Sequence, residues 1–275
     1  MKSFLKLVNF ELNRFFKLYF ILMGLTIVSQ IVGAFIVAIV YMNDAERIIY
    51  ERQISSSQYI EEYGVFSFFN YFNSGWFLMP IIFCIALLIL YVFFIWYRDW
   101  LGKNTFIYRL LMLPANRVNI YFAKLTTIMM LVFGLVGLQL LMLPVEVKII
   151  KSLVSEDFQT SFSFNEIHHL PILSWLYPVR FTEFVMMYGI GLILVAVIFT
   201  AILFERSYRL KGIFFAIVYG ILSFCVFMVP LLLNSFYTNY FYPNELLVLQ
   251  LVATIIVLGS AIWIANHLLK HKIRV

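Results

Sequence analysis

Hydrophobic positions in this chain fall into six long blocks, roughly Leu18–Met42, Trp76–Tyr97, Leu125–Val145, Phe184–Phe204, Ile213–Leu233 and Leu246–His267, and nearly all the charge lies between them. Each block has about twenty residues or more, and a helix rising ~1.5 Å per residue then crosses a hydrocarbon core about 30 Å thick. Backbone polar groups in hydrocarbon must find partners within the chain, so spans of this length are helices. The pattern predicts an all-α membrane protein with six transmembrane helices.

Polar positions between the blocks carry their own periodicity. Before the first block, Lys2, Lys6, Asn9, Asn13 and Lys17 form one stripe, opposite Phe4, Leu5, Val8, Leu12, Phe15, Phe16 and Tyr19. A cationic stripe facing an aromatic one predicts an N-terminal interfacial amphipathic helix. The alternative, a first span that begins near Phe10, would carry Glu11 and Arg14 into the core. The first run is too long for a signal-peptide core and lacks a cleavage site, so Met1 is expected to be retained. In the loop 43–75 an aromatic series, Tyr59, Tyr63, Phe66, Phe68, Phe69, Tyr71, Phe72 and Trp76, reads as an interfacial belt in preference to a ligand site. The loop 146–183 is longer and has room for a short helix. Pro230 is expected to interrupt the fifth span, with room for a re-entrant segment after it. Gly134 with Gly137, and Gly189 with Gly191, are weak candidates for close helix packing.

Composition narrows the class. A chain that is 63% hydrophobic and only 12% charged, with mean hydropathy +0.94, lies outside the range of soluble domains. Cys84 and Cys225 both fall within spans, so disulfides are not expected. Fifteen of the twenty basic residues occupy alternate connections: the N-terminus, the loop 98–124, the Glu205–Lys211 connection and the C-terminus. Basic residues resist translocation, which places those segments and both termini in the cytoplasm. The high pI is then a mark of topology and not of nucleic-acid binding.

The absent chemistry is informative too. The span centres carry no Asp, Glu, Lys, Arg or His, only Gln30, Gln139, Cys84 and scattered hydroxyls; Lys124, Glu146, Glu183 and Glu205 are expected at span ends, in reach of water. That disfavours ion-coupled transport and an ion-channel filter. Glu61, Glu62, His168 and His169 fall in outer loops without zinc-ligand spacing, so they read as solvated residues. Gly102-Lys103 lacks the leading glycine of a P-loop, so nucleotide binding is not expected of this chain.

The inner loop 98–124 is too polar to span yet retains apolar periodicity. Leu101, Thr105, Tyr108 and Met112 share one helical face, with Phe106, Arg109 and Leu110 on its flank, and the helix is expected to end before Pro114. A short amphipathic helix of this kind offers a knob to a partner's groove, or else lies on the membrane surface.

Together, the N-terminal helix, the six spans and the segment Leu113-Pro114-Ala115-Asn116-Arg117 leading to Lys124 resemble the membrane subunits of ABC-2 type ATP-binding-cassette exporters. The resemblance covers essentially the whole chain, although only those five residues are motif-like. It implies a single permease domain over 1–275 in a bacterial-type plasma membrane. It further implies a second permease copy or paralogue, and a separate ATPase subunit that binds ATP-Mg, so that this chain is not itself an enzyme and holds no cofactor. Energy would then pass through a coupling helix around Leu101–Leu113. Arg98, Leu101, Thr105, Tyr108, Arg109, Leu110, Leu113, Pro114 and Arg117 would act there, with Glu205, Arg206 and Arg209 at a second contact. An amphiphilic or hydrophobic substrate (a lipid, peptide or antimicrobial) suits an apolar seam between copies. The loop 146–183 exceeds the minimal outer region of the family. The alternatives are a non-transporting immunity or sensor protein acting through its outer loops, and a membrane enzyme built on the Glu61, Glu62, His168 and His169 set.

Overall fold

The computed structural model describes residues 2–101, 106–112, 116–159, 171–178, 180–237 and 241–273. These form helices and no strand; the one isolated bridge pairs Phe66 with Gln159. In order the helices are α1 (Lys2–Arg52), α2 (Ser56–Tyr63), α3 (Phe68–Phe72), α4 (Gly75–Trp100), α5 (Phe106–Leu111), α6 (Val118–Leu153), α7 (Pro171–Leu176), α8 (Phe181–Tyr208), α9 (Leu210–Phe236) and α10 (Pro243–His267). A 3₁₀ turn follows α6 at Glu156–Phe158, and a π-helical turn, Leu268–Lys272, follows α10. Six of the helices, α1, α4, α6, α8, α9 and α10, are long and apolar enough to cross a bilayer, and this is a multi-pass membrane protein.

Several elements differ from the hydrophobic pattern. The chain from Lys2 to Arg52 is one helix of 51 residues, so the N-terminal amphipathic stretch is not a separate element. At ~1.5 Å per residue α1 is about 75 Å long, well beyond the thickness of a hydrocarbon core. The polar stretch after Met42 remains helical, where Asp44 and Arg47 pair at 3.3 Å with i,i+3 spacing. α6 likewise continues past Val145 to Leu153. Pro230 does not interrupt α9, which runs through it to Phe236; Pro80 and Pro144 are also accommodated inside α4 and α6. A proline loses one backbone bond, but neighbouring helices and local adjustment can keep a membrane helix intact.

The described chain divides into two compact units: Met1–Arg14, Leu88–Met130 and Arg180–Val275 form the first, Phe15–Leu87 and Leu131–Val179 the second. In the second, Ser55 and Gln58 close a capping box that starts α2, and Gly64, at φ +80°, ends it. The aromatic series then turns inward. Tyr59, Phe66, Phe68, Tyr71 and Phe72 are buried with Ala34 and Ala38 of α1, Phe77 of α4, and Leu143, Val147 and Ile150 of α6. Only Tyr63, Phe69 and Trp76 of that series are exposed. The expected interfacial belt is therefore mostly a packed aromatic core, in which the rings of α2, α3 and the turn between them pack with α1, α4 and α6.

Close approach in this unit depends on two glycines. A Cβ at Gly33 would overlap the Trp76 side chain, and one at Gly134 would overlap the Tyr19 hydroxyl, which donates to Leu131 O at 3.0 Å. Gly137, Gly189 and Gly191 face open space, so of the glycines singled out from the sequence only Gly134 lies in a close contact. Gly33→Ala is expected to lower the thermal unfolding midpoint through a loss of about 1–3 kcal/mol, the usual result of overpacking. Gly137→Ala should leave the midpoint unchanged in the same detergent assay.

In the first unit α8, α9 and α10 pack together, and the N-terminal half of α6 joins them. The Tyr121 hydroxyl donates to Ala196 O at 2.9 Å, and Thr200 Oγ1 lies 2.9 Å from Ala196 O and 3.2 Å from Ala261 O. Phe199 stands edge-on to both Trp96 and Tyr121. Tyrosine and threonine hydroxyls meeting backbone carbonyls are a common way to join helices without aqueous partners.

Candidate functional site

Five charged side chains meet in the first unit: Glu11 and Arg14 from α1, Arg98 and Asp99 from the last turn of α4, and Lys124 from α6. Their placement follows from helical periodicity. Tyr121, Lys124 and Ile128 share the buried face of α6, so the ammonium group enters the interior between apolar neighbours. Asp99 lies one turn after Ile95 on the buried face of α4, while its neighbour Arg98 stands to the side.

Lys124 has all three ammonium donors in use. Its Nζ lies 2.7 Å from Glu11 Oε1, 2.5 Å from Asp99 Oδ2 and 2.8 Å from Ile95 O. Each carboxylate also takes an arginine: Arg98 Nη2 donates to Glu11 Oε2 at 2.8 Å, and Arg14 Nη1 to Asp99 Oδ1 at 2.7 Å. The side chains of Lys124 and Asp99 are fully buried and that of Glu11 is 3% exposed, whereas Arg98 and Arg14 retain 17% and 24% exposure. Two buried acids thus share a buried lysine and two arginines that reach the edge. Such a cluster ties three helices at fixed register; buried charge held without partners would cost several kcal/mol per ion.

The short helix α5 is fastened beside this cluster. Phe106 stacks on Phe10 with centroids 5.4 Å apart, and the Arg14 guanidinium lies 5.1 Å and 5.0 Å from the two rings. Ile107, Leu110 and Leu111 are buried, while Tyr108 and Met112 are 39% and 69% exposed. α5 therefore has an anchored face and a free apolar edge. Leu101, before it, is also exposed.

The other residues singled out from the sequence are placed as follows. Arg117 Nη1 donates to Leu269 O at 2.8 Å and Ile273 O at 3.0 Å, closing the turn after α10. The Tyr97 hydroxyl donates to Glu205, and the Arg206 guanidinium lies 4.8 Å from the Tyr97 centroid and 5.7 Å from that of Trp100. Arg209 is exposed at φ 53° between α8 and α9. Thr105, Leu113, Pro114, His168, His169 and Met1 lie outside the described residues, as does the side chain of Arg109. Glu61 and Glu62 are exposed, and Arg52 pairs with Glu62 at 2.9 Å. Among the described residues no group of three or more His, Cys, Asp or Glu side chains is placed to hold a metal ion.

Lys124 and Glu146 correct the expectation that both reach water: each is fully buried. The cluster itself escaped sequence reasoning, although a signal was present. Eleven of the fourteen acids lie in the acidic connections, while Glu11, Asp99 and Glu205 stand in the basic ones. All three exceptions are bound by cations or hydroxyls in the fold.

Compared with family models, curated proteins and solved structures, the chain matches none.

Proposed function

We propose that this chain is the permease subunit of an ATP-driven exporter of the ABC-2 type, with both termini in the cytoplasm of a bacterial-type plasma membrane. The observation that carries this reading is α5: a short helix whose exposed edge, Tyr108 with Met112 just after the last turn, is backed by an anchored face and a buried charge cluster joining α1, α4 and α6. A push on that edge is delivered to three membrane helices at once, which is the mechanical requirement of a coupling element. The basic side of the chain gives the same orientation, with the exposed Lys6, Asn9, Asn13 and Lys17 of α1 in the inner interface. ATP-Mg belongs to a separate ATPase subunit, and a second permease copy or paralogue completes the pathway. Membrane lipids surround the assembly, and no nucleic acid takes part. The substrate is amphiphilic or hydrophobic and moves along the seam between permeases.

The full chain, tagged and extracted from its native membranes in mild detergent, should bring down an ATPase subunit in near-equal amount. Recovery of a monodisperse permease with no ATPase would remove the basis of this reading.

A further inference from the structure

The second unit contains an acid with none of the compensation given to Glu11 and Asp99. Glu146, on α6, is fully buried; neither carboxyl oxygen meets full hydrogen-bond geometry with a described group, although the Tyr71 hydroxyl stands near enough to interact with it. Its α6 neighbours Leu143 and Val147, and Tyr71 of α3, belong to a buried apolar cluster that also holds Ala34 and Ala38 of α1 and Phe77 of α4. Among the described residues, the titratable group that faces it is Tyr71 of α3. No lysine, arginine or histidine among the described residues pairs with it.

Tyr71 is already committed. Its hydroxyl donates to Gln30 O at 3.1 Å, and the Gln30 side chain in turn donates to Gln139 Oε1 at 3.0 Å, joining α3, α1 and α6. A phenol carries one hydrogen and can serve one acceptor with it, while its oxygen can still accept. An ionised carboxylate buried without a cation is far costlier than the neutral acid, which can also donate. The arrangement therefore has a free donor position only if Glu146 carries a hydrogen.

We propose that Glu146 is a proton-binding site that exchanges one proton with the aqueous phase and switches the partner of Tyr71. With the proton bound, Glu146 donates to the Tyr71 oxygen and Tyr71 donates to Gln30 O. When a water-borne base removes that proton, the carboxylate captures the Tyr71 hydrogen and Gln30 O loses its donor. The Glu146–Tyr71 bond reverses its direction, so α3 stays tied to α6 while its bond to Gln30 O of α1 is lost. The proposal does not depend on an ATPase partner and stands or falls separately from the transporter reading.

Infrared difference spectroscopy of the full chain in lipid nanodiscs, titrated from acid to alkaline pH, tests it. A carboxylic-acid carbonyl band is expected at neutral pH, lost on alkalinisation, absent from Glu146→Gln and shifted in frequency in Tyr71→Phe. The thermal midpoint of the wild type should fall as pH rises, and that of E146Q should stay flat over the same range. A band that persists in E146Q, or no band in the wild type, would overturn the proposal. So would a response that follows sodium or potassium at fixed pH. Should E146Q fail to fold, an unshifted band in Tyr71→Phe is sufficient to reject the switch.

Discussion

Lys124→Met is expected to destabilise the first unit by about 3–5 kcal/mol, the range found when one member of a buried charge set is removed. Methionine keeps the length of the side chain and fills its volume, so the loss is one of charge and of three hydrogen bonds. Glu11 Oε1 and Asp99 Oδ2 would both face the vacated position while each retains one arginine. Removing the acids together with the lysine (Glu11→Gln, Asp99→Asn and Lys124→Met combined) should recover much of the loss. Arg14 and Arg98 then remain, but both reach the edge of the cluster, where long side chains can extend towards water or headgroups. Thermal unfolding of the purified full chain, followed by size-exclusion of the heated samples, reads both effects. Independent contributions would make the triple variant worse than K124M; a shared cluster makes it better, because residues in one network are not additive. An unchanged midpoint in K124M would show that the cluster does not hold the helices.

The six spans were legible because hydrophobic runs of that length have few other uses. Their ends were not. Hydropathy marks where a side chain leaves hydrocarbon, whereas a helix stops where its backbone bonds stop, and nothing in Asn43–Arg52 forces that. The stretch lacks proline and glycine, and its charges can pair within the helix, so α1 continues until Gln53 takes φ 50°. The aromatic series around Tyr71 was ambiguous for a related reason. Rings suit an interface and a packed core equally, and the choice depends on tertiary packing with α1, α4 and α6 that the pattern did not predict.

Charge misled in a more specific way. Reading each ionisable residue by its distance from the span centre sent Lys124 and Glu146 to water. Placement on a helix face is what decides burial: Lys124 shares its face with Tyr121 and Ile128, and Glu146 lies between Leu143 and Ile150. The sequence does contain complementary pairs near the ends of three helices, Glu11 with Arg14, Arg98 with Asp99, and Lys124. Only tertiary packing shows that they meet.

On the permease reading proposed above, Tyr108→Asp combined with Met112→Asp is expected to abolish recovery of an ATPase subunit while leaving the chain folded. Tyr108 of α5 and Met112, the residue just after it, are both exposed, so a carboxylate there replaces apolar contact with a solvated charge. Leu110→Asp is a poorer test although it lies on the same helix. Leu110 is only 4% exposed, and an acid at that position would loosen α5 from its anchors and lose the partner for a trivial reason. The double variant should therefore match the wild type in thermal midpoint and elution volume, with partner recovery falling at least ~10-fold, which corresponds to about 1.4 kcal/mol of interface energy. Loss of binding together with a lowered midpoint would place the effect in folding. Full recovery of the ATPase by a stable double variant would move the coupling contact away from α5, leaving the exposed Arg209 connection between α8 and α9 as the next surface to change.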